Sequence, residues 1–227
     1  MKALYLVLAV LIVAGCQSAA SVLSNAQPAE EGFSSRLYDL SAANIPADHV
    51  RMVEQAVRRA DSLSTAPSFL ADVRSKNTYT FTDDETDGAT VAQVLERAEQ
   101  REGGERVRPR LVFYSPPTIG RDVCGGWSWW FVRKTSTTGC TLSDGMVYRS
   151  QRDFPSDPDI LAEFLLHEWM HVAGFGHEGN RNQCSQQKRN SVPIYVGCLS
   201  RASSDPEKVA ACSLSCQDAA ADADDER

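Results

Sequence analysis

Residues 158–173, PDILAEFLLHEWMHVA, leave few choices for how this chain folds. Asp157 is a favourable N-cap, Pro158 suits the first helical position and Asp159 complements the helix dipole, which together predict a helix from about 158 to 173. Apolar residues occur on nearly every side, so this helix is expected to be buried. Its polar exceptions form one stripe, and a buried polar stripe needs a compensating partner. The stripe consists of Glu163, His167, Glu168 and His171.

A metal ion is the partner that this stripe predicts. His167 and His171 are four residues apart, so their rings point the same way from successive turns and match the bite of a tetrahedral cation. Gly174 allows the chain to leave the helix with a positive φ, and a turn through 175–176 brings His177 back as a third ligand. Three protein ligands leave the fourth zinc position open, as catalytic sites require. The alternative is that core histidines are simply satisfied by backbone carbonyls.

The longer pattern HExxHxxGxxH resembles the signature of the metzincin zinc peptidases, with His167, Glu168, His171, Gly174 and His177 at its defined positions. Locally it is most similar to the astacin subgroup, HExMHxxGFxHExxR. The additional matches are Met170, Phe175, Glu178 and Arg181.

The resemblance implies a zinc-dependent metalloendopeptidase that hydrolyses peptide bonds with a zinc-activated water and Glu168 as general base. It also implies a metzincin-like α+β fold. This fold would have a mixed, twisted sheet of four or five strands, an active-site helix and a small, irregular C-terminal subdomain stapled by disulfides.

One part of the family pattern is missing, because no methionine follows Met170 to form the metzincin Met-turn. The nearest match is SVPIY at 191–195, with Pro193 in place of the methionine. By this match Tyr195 donates a hydrogen bond to the reaction's oxyanion. The alternative is that Tyr195 is an ordinary packed aromatic.

Apolar periodicity predicts further elements. Helical spacing occurs from Pro46 through residues 50–60 and again at 91–98, whereas aromatic and β-branched runs predict strands. These runs are 78–82, 110–115, 127–132 and 146–150. Together the helices and strands indicate an α+β or α/β class with a sheet of four or five strands. An extended substrate is expected to pair with an edge strand at 145–150. His49, in the first helix, is expected to be an ordinary surface residue.

The N-terminus carries a targeting signal. Residues 1–15 are a signal peptide with a short apolar core, and the following Cys16 resembles the lipidated cysteine of the bacterial lipobox. We therefore expect a lipid anchor in a bacterial envelope membrane. The alternative is an ordinary secretory signal, giving a secreted or periplasmic protein. Residues 16–45 are expected to be a tether, with a first short strand at 35–40 as a further option.

The peptidase domain is expected to span 46–216 and to be followed by an acidic disordered tail, 217–227. Of the seven cysteines, six remain after Cys16. In an oxidising compartment this even number predicts three disulfides. Sequence proximity alone suggests Cys124–Cys140, Cys184–Cys198 and Cys212–Cys216. A zinc-binding cysteine cluster is the rival interpretation, although no CxxC pair occurs.

A net charge of −7 and a pI near 5.1 argue against nucleic acid as a partner. The expected partner is a peptide or protein substrate, with the membrane contacted only through the lipid on Cys16, and we expect a monomer. Two other classes remain open. One is a non-catalytic zinc-containing binding or structural lipoprotein. The other is a disulfide-held inhibitor or adhesion module, which leaves the histidines unexplained.

Overall fold

The segment predicted to be a buried helix lies at the centre of an α+β fold in the computed structural model. The structure describes residues 33–41, 43–76, 79–80, 85–115, 120–121, 123–124, 127–129, 132–133, 139–151, 154–176, 191–202 and 205–213. The helices in these ranges are α1 Val50–Leu63, α2 Pro67–Ser75, α3 Gly88–Arg97, α4 Pro158–Val172, α5 Val192–Ala202 and α6 Pro206–Ser213. The strands are β1 Tyr79–Thr80, β2 Glu85–Thr86, β3 Arg110–Tyr114, β4 Gly120–Arg121, β5 Trp127–Trp129, β6 Val132–Arg133, β7 Gly139–Thr141 and β8 Met146–Ser150.

Helix α4 begins and ends where the sequence predicts. The Asp157 side chain accepts a hydrogen bond from the Asp159 amide at 2.9 Å, Pro158 occupies the first turn, and Arg59 of α1 forms an ion pair with Asp159. Six apolar residues of α4 are buried, namely Leu161, Ala162, Leu165, Leu166, Trp169 and Met170, and the others are partly buried. Since α1 packs against one side of α4 and α5 against another, the all-round apolar pattern is explained.

The principal sheet is mixed and has the strand order β3-β8-β7. Strands β3 and β8 are parallel, with Leu111 opposite Val147, whereas β7 and β8 are antiparallel. An isolated bridge joins Asp39 to Arg110 of β3. The expectation of four or five strands is therefore wrong for the described residues. The predicted strands at 78–82 and 127–132 fail to join this sheet because they pair locally in small sheets of their own.

Two strand assignments also need correction. The run at 127–132 contains parts of two antiparallel strands, with Trp129 opposite Val132. The prediction of a single strand was therefore wrong, because aromatic composition does not indicate where the chain reverses. The segment 146–150 is a strand, but it has β3 on one side and β7 on the other. Among the described residues, β8 is therefore central and β7 occupies the edge position that we expected for 145–150.

The amphipathic helices predicted at 50–60 and 91–98 are confirmed as α1 and α3, which bury the apolar positions expected from the sequence. Part of the expected tether belongs to the core, because Leu37, Tyr38 and Ile45 are fully buried. Tyr38 donates a hydrogen bond to the carbonyl of Leu165 in α4, which joins this segment to the central helix.

The disulfide pairs are only partly those suggested by sequence proximity. Cys124–Cys140 is present as expected. Cys198 of α5, however, pairs with Cys212 of α6, which excludes the expected pairs Cys184–Cys198 and Cys212–Cys216. The reason is that α5 and α6 pack together and bring these two cysteines to a Cα separation of 5.7 Å. The four bridged cysteines are also unavailable to a cysteine zinc cluster.

The predicted signal peptide, Cys16 and the acidic C-terminal residues lie outside the described residues. Within the part of the chain that is described, no helix is both long and apolar enough to cross a bilayer.

Candidate metal and catalytic site

His167 and His171 lie on one face of α4, in successive turns, as their spacing predicts. Their ring centroids are 5.0 Å apart and the ring planes meet at 74°. Both side chains are half-buried, in contrast to the fully buried apolar residues around them. The two imidazoles are therefore close together and both remain partly exposed to solvent.

A hydrogen bond to the backbone orients the imidazole ring of His171. Its Nδ1 lies 2.9 Å from the backbone carbonyl oxygen of Phe175. A carbonyl oxygen only accepts, so in a neutral ring Nδ1 carries the proton and Nε2 carries the lone pair. Metal-binding histidines are commonly oriented by such a bond to a backbone carbonyl.

The end of α4 positions that carbonyl. Gly174 has φ +96°, which confirms the positive φ predicted for this glycine. The Gly174 amide donates to the carbonyl of His171 and the Phe175 amide donates to that of Met170, the two bonds of a Schellman motif. The Phe175 side chain is buried beneath the turn. The predicted third ligand, His177, lies outside the described residues, as do Glu178 and Arg181.

The donor chemistry of the described site fits zinc. Two imidazoles one helical turn apart, one of them with its Nε2 lone pair fixed by a backbone bond, are typical zinc ligands. Among the described residues, no cluster of three or more side chains suited to hold a metal occurs. The set predicted here requires His177 in addition to His167 and His171.

Glu168 points from α4 toward the sheet rather than toward bulk solvent. The residue is 6 % exposed, and its Oε2 accepts a hydrogen bond of 2.8 Å from the Thr141 hydroxyl of β7. Burial raises the pKa of Glu168, while the Thr141 hydrogen bonds and the positive charge of Arg149 act in the opposite direction. Glu168 therefore sits in an apolar setting with specific polar neighbours.

Those neighbours were not predicted from the sequence. Arg149 of β8 is buried, with its guanidinium carbon 4.7 Å from the centre of the Phe164 ring of α4. Tyr38 is fully buried, and its phenol pKa is raised well above the usual value, first by burial and then by the charge of Glu168. The sequence signal was weak, since each residue stands in a short segment that contains other polar residues and no recognisable motif.

Helix α5 packs very closely behind the first histidine. A Cβ added at Gly197 would lie 3.3 Å from the Cβ of His167 and 3.3 Å from the carbonyl oxygen of Glu163. Glu163 itself forms a 3.7 Å ion pair with Arg201 of α5. The absence of a side chain at Gly197 thus allows the backbone of α5 to approach α4 beside His167.

Tyr195 lies in α5, and not in a turn of the kind that the SVPIY match implied. Its amide donates to the Ser191 carbonyl, its side chain is buried, and the Lys76 ammonium lies 4.1 Å from the centre of its ring. Pro193 falls in the first helical turn, where proline favours a helix start. These contacts favour the packed-aromatic alternative; the role of the Tyr195 hydroxyl as an oxyanion donor stays a prediction.

His49 is only partly exposed, because its ring stacks on that of Phe154 with centroids 4.1 Å apart. It is therefore a packing residue separate from the candidate site.

Comparison with known proteins gives no independent assignment. No protein-family profile, curated protein or solved structure matches this chain.

Proposed function

We propose that the chain is a zinc-dependent metalloendopeptidase of metzincin type. The observation that supports the proposal is the His167–His171 pair on one face of α4, with ring centroids 5.0 Å apart and the His171 ring held by the Phe175 carbonyl, together with the buried carboxylate of Glu168 on the same helix. The motif that continues to His177 supplies the third ligand. A buried carboxylate that is not itself needed as a ligand favours catalysis over a purely structural metal site.

The ligands in this proposal are His167, His171 and His177. A bound zinc ion supplies Lewis-acid activation of water and of the scissile carbonyl. The carboxylate of Glu168 takes one proton from the attacking water as the water oxygen adds to the carbonyl carbon. Protonated Glu168 then delivers that proton to the amide nitrogen, the C–N bond breaks, and the leaving amine departs neutral.

The proposed substrate is an extended peptide. Strand β7 is the edge of the principal sheet in the described residues, and its Thr141 reaches Glu168. The backbone of an edge strand has hydrogen-bonding groups that can pair with another extended chain. A peptide paired with β7 would therefore run close to the general base. The net charge of −7 supports a protein substrate over nucleic acid.

Zinc analysis and a peptide-library digest test the proposal together. Wild type should hold one zinc and cleave internal peptide bonds. The double variant His167→Ala, His171→Ala should lose the zinc, whereas His49→Ala, a histidine packed elsewhere, should retain it. Glu168→Ala should keep zinc and fold but lose cleavage by orders of magnitude. The matched control Glu163→Gln changes a carboxylate on the same helix and should remain active.

The second candidate is a zinc-containing binding or structural lipoprotein. It is favoured by the lack of a methionine after Met170, which leaves the metzincin pattern incomplete. A wild-type protein that holds zinc but cleaves no peptide in a broad library would establish this alternative instead.

We also propose that the protein is anchored to a bacterial envelope membrane by a lipid on Cys16. Lipidation requires the thiol of that residue, so Cys16→Ser should move the protein out of the membrane fraction or block its processing. An unchanged membrane fraction with the signal still removed would argue for another mode of attachment, and a wild-type protein found only in the soluble fraction would favour simple secretion.

A further inference from the structure

The face of the principal sheet that packs on α4 is apolar except at two positions. Side chains alternate along each strand, so Leu111 and Phe113 of β3 share this face with Val147 of β8, and all three are buried. The register places Thr141 opposite Val147 and Gly139 opposite Arg149. The two polar residues of this face are therefore Thr141 and Arg149, and both act on Glu168.

The hydroxyl of Thr141 makes a specific contact with the carboxylate. Its Oγ1 is 2.8 Å from Oε2 of Glu168 and 3.2 Å from the backbone carbonyl oxygen of the same residue. A hydroxyl has one proton to donate, and the shorter contact to a charged oxygen is the stronger bond. Valine has nearly the same shape as threonine and would suit the apolar face equally well, so packing alone does not explain the hydroxyl.

The strand that carries this hydroxyl is firmly held. Strand β7 is hydrogen-bonded to β8, the preceding residue Cys140 is bridged to Cys124, and the branched Cβ of threonine restricts its χ1. Gly139 lies so close to Phe164 of α4 that an added Cβ would be 2.3 Å from the ring. Strand β7 is thus held close to α4 at Gly139 as well as at Thr141.

We propose that Thr141 is a positioning residue for Glu168, whose carboxylate it holds through Oε2 so that Oε1 is the oxygen that exchanges protons with the attacking water. This inference rests on the proposed peptidase function. A freely rotating carboxylate would adopt many orientations. A fixed hydrogen bond to Oε2 instead keeps Oε1 directed toward the attacking water. The hydroxyl acts on Glu168 and not on the substrate, so its loss should change kcat and leave KM nearly unchanged.

Steady-state kinetics of threonine variants test the inference. Thr141→Val, which keeps the shape, should lower kcat about 10- to 100-fold with zinc content and KM close to wild type. Thr141→Ser, which keeps the hydroxyl, should stay within about threefold of the wild-type kcat. Thr86→Val removes a buried threonine hydroxyl from β2 and serves as the matched control, with full activity expected. Thr141→Ala replaces the valine variant if that one does not fold.

Combining Thr141→Val with Glu168→Ala distinguishes a role in positioning the Glu168 carboxylate from a general loss of structure. In the Glu168→Ala background Thr141→Val should cause no further loss of the residual rate, because the carboxylate it positions is gone. A cleaving wild type with an undiminished Thr141→Val variant, or a serine variant as impaired as the valine variant, would overturn the positioning role alone. A wild type that cleaves nothing in the library would overturn the proposed function and this role with it.

Discussion

At the residue scale, the proposed chemistry depends on the buried carboxylate of Glu168, whose charged form lowers the stability of the folded protein. Burial raises the pKa of Glu168, which means that the charged form is less favourable in the folded protein than in the unfolded chain. The Thr141 hydroxyl and the charge of Arg149 offset this only in part. A residue kept in such an environment is more easily explained by function than by stability.

Replacing Glu168 with glutamine should therefore stabilise the metal-free protein at neutral pH. A carboxyl group whose pKa is higher when folded binds more protons in the folded state, so its contribution to stability is lost as the pH rises above the ordinary value of 4.5. The melting temperature of Glu168→Gln should match that of wild type near pH 4 and exceed it by a few degrees at pH 7.

Thermal melts of both proteins over this pH range provide the measurement, with the exposed Glu102→Gln as control. A variant that is less stable than wild type at pH 7 would contradict the assigned effect of burial.

Gly174 is required by its backbone conformation and not by lack of space. Its φ of +96° is unfavourable for any residue with a Cβ, although an added Cβ would make only an ordinary contact at 3.6 Å with Arg101. Gly174→Ala should lower the free energy of unfolding by about 1–2 kcal/mol. It should also weaken zinc binding, because the same turn presents the Phe175 carbonyl to His171.

Urea denaturation and zinc competition measure the two effects. Gly176→Ala is the matched control, since a Cβ there meets nothing within 4 Å and its φ is not positive. Equal stability of the two alanine variants would contradict the argument.

At the element scale, the features that were predicted correctly depend on signals within a few residues. The cap at Asp157, the proline after it and the glycine at 174 define both ends of α4, and the aromatic and β-branched residues of 146–150 locate β8. The position of β8 between two neighbours has no local signal, because strand order is decided by contacts far apart in the chain. The Thr141–Glu168 contact, across 27 residues, was missed for the same reason.

Helix α5 was missed because SVPIY was interpreted through the metzincin Met-turn. The same letters, with proline in the first turn and apolar residues on the buried side, form a helix that packs along α4. The cysteine pairing failed for a related reason. Proximity in sequence suggested that each cysteine pairs with the next one along the chain. The packing of α5 on α6 instead brings Cys198 and Cys212 together as a disulfide.

Disulfide mapping tests the arrangement of these two helices. Non-reduced peptide maps should contain Cys124–Cys140 and Cys198–Cys212. Apart from Cys16, which is proposed to carry the lipid, the remaining cysteines are 184 and 216, and these are then expected to pair with each other. Removing the second bridge with Cys198→Ser and Cys212→Ser should lower the free energy of unfolding by about 3 kcal/mol. The bridge joins residues separated by 14 positions and so restricts the conformations of the unfolded chain. Peptides joining Cys184 to Cys198 would contradict the placement of α6.

At the scale of the whole molecule, the candidate site is assembled from distant parts of the chain. Helix α4 supplies the histidines and Glu168, the principal sheet supplies Thr141 and Arg149, and the segment before α1 supplies Tyr38. Helix α5 packs along α4, where Gly197 faces His167. The candidate site therefore depends on distant parts of the fold, while the motif alone predicts only the proposed ligands and base.

Zinc titration of the chelator-stripped protein, followed by the rate of cleavage of an internally quenched peptide, tests the peptidase assignment most directly. The wild-type rate should rise from near zero and saturate at one equivalent of zinc, because one ion completes the site. Glu168→Ala should take up the same zinc and stay inactive. A wild-type rate that zinc does not raise, or a Glu168→Ala protein that zinc activates equally, would contradict the account.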